Sequence, residues 1–271
     1  MSELKIYCLS IHDRLLNKIK DLNYIPVGLG QFNFSNGWLR DNTNENISIK
    51  NKYYGEYTFH YWFWKNLLQH IEGDKWIGFC AQRRFWSKNK VKSNINNFHD
   101  LKKNIIQSAP EEWDNYDVII GDEINISNIS WTKIVKYGKL ALIRNPESIY
   151  RKRRNIRFQF DMFHGCGILD KAINLLPKED RNDFNYFVRN KQTYNQGNMF
   201  ICKSKSIMHK YYTSIFEWLV KCEKIFGFNL EGYGKQRIYA FLAERYLPFW
   251  FSKYTKKLDW PVVFYNLMEN E

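Results

Sequence analysis

Apolar positions fall into short runs that end abruptly in polar residues. Leu4 to Ser10 (LKIYCLS), Trp76 to Ala81 (WIGFCA) and Asp117 to Gly121 (DVIIG) are the clearest. Each is too short for a helix and rich in strand formers, so each predicts a buried strand opening into a loop. Asn198 to Cys202 (NMFIC) predicts a shorter strand behind the turn residues Asn195-Gln196-Gly197, and Lys139 to Ile143 a weaker one. Helical spacing covers 51–69, where apolar or aromatic residues stand at 54, 57, 61, 64 and 68 and also at 59, 62, 63 and 67. A helix apolar on nearly every side is buried. Ser48 or Asn51 can cap its start, and Gly73 follows its end. Further helical patterns lie near 99–107, 127–137, 166–176, 205–226 and 235–247, the last two stopping at Gly227 and Pro248. Strands alternating with helices predict an α/β fold with a central, mostly parallel sheet flanked by helices. No repeat or linker interrupts it, which predicts a single domain over 1–271.

Composition narrows the class. Hydrophobic residues make 44% of the 271 positions against 14 Gly and 6 Pro, which excludes disordered and collagenous chains. The apolar runs are far shorter than the roughly 20 residues of a membrane span, and Met1 to Ser10 reads as a strand, not a leader. A cytoplasmic protein is the expectation. The five cysteines form no CxxC pair, which predicts free thiols, and the six histidines lack ligand spacing, so zinc is not expected. The net charge of +13 suggests a polyanionic partner (nucleic acid, an anionic membrane surface, a phosphorylated ligand) or merely a lysine-rich surface. Aromatics at 18% suit sugar stacking and base stacking alike.

In open α/β sheets ligands bind beyond the carboxyl ends of the strands. Ser10-Ile11-His12, Gln82-Arg83-Arg84 and Asp122-Glu123 all sit at such ends and should converge on one site. Arg83 and Arg84 make a suitable clamp for a diphosphate, since each planar fork donates paired hydrogen bonds; the plainer alternative is pairing with surface carboxylates.

Three stretches together resemble one bacterial family. They are Arg40 to Glu56 (RDNTNENISIKNKYYGE), Tyr61 to Asn66 (YWFWKN) and Ile77 to Phe85 (IGFCAQRRF), supported by the opening KIYCLS, Tyr24 to Gly28, Asn198-Met199-Phe200 and Glu244 to Leu247. The likeness spans nearly the whole chain and is weakest over 86–190. The family, long catalogued as a domain of unknown function, occurs in capsule and exopolysaccharide gene clusters and is taken to consist of glycosyltransferases. The resemblance implies a GT-A-like, Rossmann-type domain, with a nucleotide-binding half over about 1–125 and an acceptor-binding half over about 126–271. It also implies a nucleotide-diphosphate-sugar donor, UDP-sugar first, and a capsular or other glycan or lipid-linked acceptor. GT-A enzymes usually hold Mn²⁺ or Mg²⁺ on an Asp-x-Asp; the matching position here is Gln82-Arg83-Arg84. Arginine in place of metal is therefore the expectation, with Asp122 and Glu123 as the fallback metal site. The family's His before the paired arginines is Gln82 in this chain.

The remaining candidates follow. Ser10 and His12 stand where such enzymes meet the nucleoside. Asn46, Ser48 and Asn51 can cap helix amides or bind donor oxygens. Glu56, inside an apolar helix, needs a partner, an arginine first and a sugar hydroxyl second. Asp161 and His164, at i and i+3, share a helix face suited to a general base, and the catalytic candidates are these two with Asp122 and Glu123. Asn195, Gln196, Gly197 and Asn198 resemble a sugar-facing turn, and Glu231, Gln236 and Arg237 fall where further contacts occur in such enzymes. Glu244-Arg245 reads as an internal ion pair. Arg151-Lys152-Arg153-Arg154 with Arg157 is a basic patch that suits a lipid-linked diphosphate, the inner membrane leaflet, or plain solvation. Two rival readings stand beside transfer: a basic nucleic-acid-binding protein, disfavoured by the lack of any recognition motif, and a non-catalytic sugar-nucleotide-binding module.

Overall fold

The computed structural model describes residues 3–73, 75–90 and 94–268. From the N-terminus come β1 (Leu4–Ser10), α1 (Leu16–Asp21), β2 (Ile25–Gly28), β3 (Leu39–Arg40), α2 (Asn51–Tyr54), α3 (Tyr57–Asn66), β4 (Trp76–Ala81) and β5 (Arg84–Trp86). Next are α4 (Phe98–Asn104), β6 (Val118–Gly121), β7 (Glu123–Asn125), α5 (Trp131–Tyr137), α6 (Lys139–Arg144), α7 (Ile156–His164), α8 (Ile168–Ile173) and α9 (Lys178–Asn190). The chain closes with β8 (Thr193–Asn195), β9 (Phe200–Cys202), α10 (Lys205–Phe226), α11 (Tyr233–Gln236), α12 (Ile238–Tyr254), β10 (Lys257–Trp260) and β11 (Val262–Phe264).

Two compact units result. The first takes Met1–Asp122, Gly197–Thr213 and Phe251–Glu271; the second takes Glu123–Gln196 and Ser214–Trp250. In the first unit the sheet runs β10-β6-β9-β4-β1-β2-β3, with β5 and β11 as an antiparallel extension of β4. Along that path every neighbour pair is parallel except the two made by β9. This mixed α/β sheet, mostly parallel and flanked by helices, agrees with the expectation. Its continuous apolar strands explain the topology: β4 and β6 are buried along almost their whole length, which requires cover on both faces. The core includes Trp76, Trp113 and Trp260 in edge-to-face contact, with centroids 5.4 and 5.3 Å apart. Cys8 and Cys80 face each other across β1 and β4, and all five thiols are free.

The second unit is mainly helical, α7 packing against α5, α6, α8 and α9. A two-stranded ribbon of β7 and β8 sets Glu123 opposite Asn195.

Three expectations are corrected. The helix over 51–69 is two helices, broken at Gly55, whose φ of +54° and ψ of −130° no helix accommodates. Lys139 to Ile143 is not a strand but the body of α6: its Ala141 faces the interior while Leu140 and Ile143 stand exposed, a helical pattern that the bare apolar run concealed. The last helix runs through Pro248 to Tyr254. Proline removes one helical N–H, but Tyr246, Leu247, Phe249 and Phe251 around it are all buried, and packing holds the turn.

Candidate functional site

Strand order β3-β2-β1-β4 means that the chain leaves β1 toward one side and later returns to place β4 on the other. Such a switch point opens a crevice at the strand carboxyl ends. Ser10 and Gln82 meet there. The Ser10 hydroxyl donates to Gln82 Oε1 at 2.6 Å and accepts from the His12 backbone N–H at 2.9 Å. With its carbonyl oxygen engaged, Gln82 has its two amide N–H donors to offer a ligand. His12 is half-buried, and its imidazole is held below the ordinary histidine value by burial and then by the charges of Arg14 and Arg83. Arg83 therefore lies within electrostatic reach of His12. It is exposed in the β4–β5 turn, its carbonyl accepting from Tyr265 N–H at 3.2 Å. Arg84 opens β5, half-buried, with a guanidinium 3.9 Å from where a Cβ on Gly197 would stand. The two arginines thus straddle the end of β4, one toward β1 and one toward β9.

The loop beyond β2 and β3 builds the neighbouring wall. Asp41, fully buried, accepts from Gly30 N–H at 2.7 Å and from the Thr58 hydroxyl at 2.5 Å. Burial pushes its carboxyl up to about 6 despite those bonds. Asn51 donates to Gly55 O and to Thr58 Oγ1, while Asn46 Oδ1 accepts from the Ser48 N–H and hydroxyl. Ser48 Oγ also accepts from Gln31 Nε2. Ser48 and Asn51 therefore do not cap the helix starts with their side chains; they knit the loop, and Asn46 turns the chain into the 3-10 turn over Ser48–Lys50. Glu56 is half-buried in the link before α3, not inside a helix.

His60 is a residue that sequence reasoning missed. It is fully buried in α3, bonds Tyr212 OH through Nδ1 at 3.0 Å and the Asn198 carbonyl through Nε2 at 3.2 Å. Because a carbonyl only accepts, Nε2 carries the proton. Burial lowers its pKa to about 3, so the ring stays neutral and pins Asn198 at the head of β9. Asp41 lay within the quoted family stretch but carried no assigned role. A lone buried carboxylate and a lone histidine inside an aromatic helix are the signals that mark such positions.

Asp122 follows the carboxyl end of β6, half-buried, with Oδ1 accepting from Val262 N–H at 3.2 Å. Glu123 belongs to the second unit, exposed, accepting from the Thr193 hydroxyl at 2.6 Å. Among the described residues no three His, Cys, Asp or Glu side chains group to hold a metal ion.

In the second unit Asp161 and His164 lie on α7 inside separate polar networks. Asp161 accepts from Gly167 N–H at 2.9 Å and Asn145 Nδ2 at 3.3 Å, beside Arg144. His164 donates from Nδ1 to the Gly234 carbonyl at 3.2 Å and accepts at Nε2 from Arg245 at 3.4 Å. Burial, then Arg245, hold its pKa well below the usual value. Gly234 permits this approach: a Cβ there would stand 2.0 Å from the Phe163 carbonyl oxygen. With both ring nitrogens engaged, His164 is built into the unit's interior. Arg245 pairs with Glu244 and donates to Gln159 at 2.9 Å, an internal ion pair as the sequence suggested. Asn195 is buried in the ribbon and Gln196 is exposed; Gln236 ends α11 half-buried, and Glu231 is exposed. The basic patch is smaller than its sequence, since Arg154 and Arg157 turn inward. Arg154 donates to the Ser148 and Ile129 carbonyls, and Arg157 to Asp170 and Asn145.

A cavity of about 820 Å³, lined by Trp64, Gln69, Ser204 and His209 among others, lies elsewhere in the first unit. Its walls come from segments just before β4 and just after β9, hence from the opposite end of the strands to Ser10 and Gln82.

Comparison with solved structures finds the WbbM bifunctional glycosyltransferase in its apo form, with a TM-score of 0.59 and 17% identity. The alignment covers 97% of this chain and 45% of that one, so the chain spans less than half of WbbM's length. At this identity the likeness shows a shared fold alone. No curated protein matches. Residues 5–256 match the family described as a domain of unknown function, DUF4422, and the chain belongs to that family.

Proposed function

We propose that this protein is a glycosyltransferase that moves a sugar from a nucleotide-diphosphate donor, a UDP-sugar first, to a capsular or other surface glycan, free or lipid-linked. The observation that carries the reading is the polar cluster of Ser10, His12, Gln82 and Arg83 at the switch point of a parallel sheet. Ser10 and His12 meet the nucleoside, and Arg83 with Arg84 neutralises the diphosphate as it leaves. A fixed guanidinium at a developing charge needs no reorganisation during reaction. Asn46, Ser48, Asn51 and Asp41 hold the loop that forms the side wall, with Glu56 beside it. Gly197 lies next to Arg84, and with Asn198, pinned by His60, it is assigned to the sugar; Asn195, Gln196 and Gln236 of the second unit keep their assignment to the acceptor. Of the carboxylates considered, Asp122 stands at the strand-end edge of the first unit and takes the base role; Asp161 and His164 keep positioning roles in the second.

A thermal-shift screen across UDP-, GDP- and CDP-sugars, with and without Mn²⁺, tests this, since ligand binding raises stability by mass action. UDP-sugars should raise Tm, and Arg83→Ala should lower turnover by about 10²–10³-fold without lowering the unliganded Tm. No shift with any nucleotide sugar, or full activity in Arg83→Ala, overturns the assignment.

A further inference from the structure

The second unit carries a face that sugar transfer does not use. Seven of the sixteen large apolar side chains exposed among the described residues fall between Trp131 and Tyr150, and Leu140 and Ile143 are 68% and 76% exposed. A surface helix ordinarily hides its single apolar stripe. Here α5 buries Ile134 while Trp131 and Val135 face out, and α6 buries Ala141 while Leu140 and Ile143 face out. Both helices pack on α7 and on each other, and the 3-10 turns over Pro146–Ile149 and Arg151–Arg153 continue the face.

Charge identifies the partner. Residues 131–153 hold seven lysines and arginines against one carboxylate, Glu147. Among them Lys133, Lys136 and Lys139 are exposed, as are all three residues of the turn Arg151–Arg153. Cations interleaved with Trp, Tyr, Leu and Ile match the layers of an anionic bilayer: headgroup phosphate, interfacial ring, acyl chain. No described helix is long and apolar enough to cross a membrane, so the contact is a surface one.

We propose that residues 131–153 dock on an anionic phospholipid bilayer, Leu140 and Ile143 entering the acyl boundary and the lysines and arginines meeting the headgroups. The proposal stands independently of the donor-site reading.

Co-sedimentation with vesicles of equal parts phosphatidylglycerol and phosphatidylcholine, against phosphatidylcholine alone, tests it. The full chain should bind the mixed vesicles and not the neutral ones. Lys136→Gln with Lys139→Gln should weaken binding roughly 25-fold, each lysine near such a surface being worth about fivefold. Leu140→Ser with Ile143→Ser, equally exposed positions, should weaken it by roughly tenfold or more. Lys221→Gln with Lys224→Gln, which removes the same charge from α10, should cost less than about threefold. The proposal falls if the mixed vesicles leave the protein in the supernatant, or if the α10 variant loses as much as the α5–α6 one. It also falls if sedimentation equilibrium shows a dimer that Leu140→Ser with Ile143→Ser dissolves, since the face would then join two copies of the chain.

Discussion

Asp41 and His60 sit within one unit and respond to acid with opposite signs. Burial sets His60 at about 3, below its ordinary 6.5. As pH falls through 6.5 the unfolded chain takes up a proton that the folded one refuses, and stability is lost down to about pH 3. Asp41 is raised from 3.8 to about 6. Between those values the folded state holds the extra proton, so stability is gained as pH falls from about 6 to 4. His164, also held low by burial, adds to the loss. Urea unfolding between pH 6.5 and 4.5 should therefore show a partly cancelled decline. Asp41→Asn, which keeps the acceptor for Gly30, should steepen that decline by about 2 kcal/mol. His60→Gln, whose amide can still donate to Asn198 O, should shrink it by about 2–3 kcal/mol. An unchanged pH slope in both variants would remove these two groups from the acid response.

At the scale of elements, Gly55 decides how the loop wall is built. Its positive φ turns the chain between α2 and α3, and its carbonyl accepts from Asn51 Nδ2 at 2.9 Å. Gly55→Ala should cost about 1–3 kcal/mol, seen as a lower urea midpoint at unchanged m-value. An alanine as stable as wild type would mean that the break is not imposed by the backbone. Nothing in the apolar periodicity of 51–69 revealed this break, because helices on both sides bury aromatic faces and the pattern reads straight through. Strands were easier: β1, β4 and β6 are buried on both faces, so their runs are unbroken and their ends marked by polar residues. α10 was equally plain, with Gly227 directly after its last residue. Lys139 to Ile143 misled because a six-residue helix buries so little that its apolar residues face solvent. The meeting of Ser10 with Gln82 followed from strand order, whereas the bonds of Asp41 and His60 depend on tertiary neighbours far along the chain, Thr58 and Asn198, that no local pattern names.

Two features of the whole chain, a net charge of +13 and 18% aromatics, invite a nucleic-acid reading. Their placement argues against it. Tyr57, Phe59, Trp62, Trp76, Trp113 and Trp260 are buried in the first unit, where Phe59 packs on Tyr7 and Trp113 on Trp76, so they form core instead of a stacking platform. Arg154, Arg157 and Arg245, from the second unit, are turned inward on carbonyls, Asp170 and Glu244. What stays outside is lysine with some arginines, Arg83, Arg151 and Arg153 among them, charge that attracts any polyanion through counterion release without reading a base. Fluorescence anisotropy with a labelled single-stranded oligonucleotide should accordingly give binding weaker than about 1 µM near physiological salt, falling steeply as salt rises and indifferent to sequence. A UDP-sugar bound at the proposed site should keep most of its Tm increment over the same salt range, because the contacts proposed for it include hydrogen bonds from Gln82 as well as the charge of Arg83. Tight, salt-resistant oligonucleotide binding alongside a UDP-sugar response that vanishes with salt would reverse the assignment of charge and crevice together.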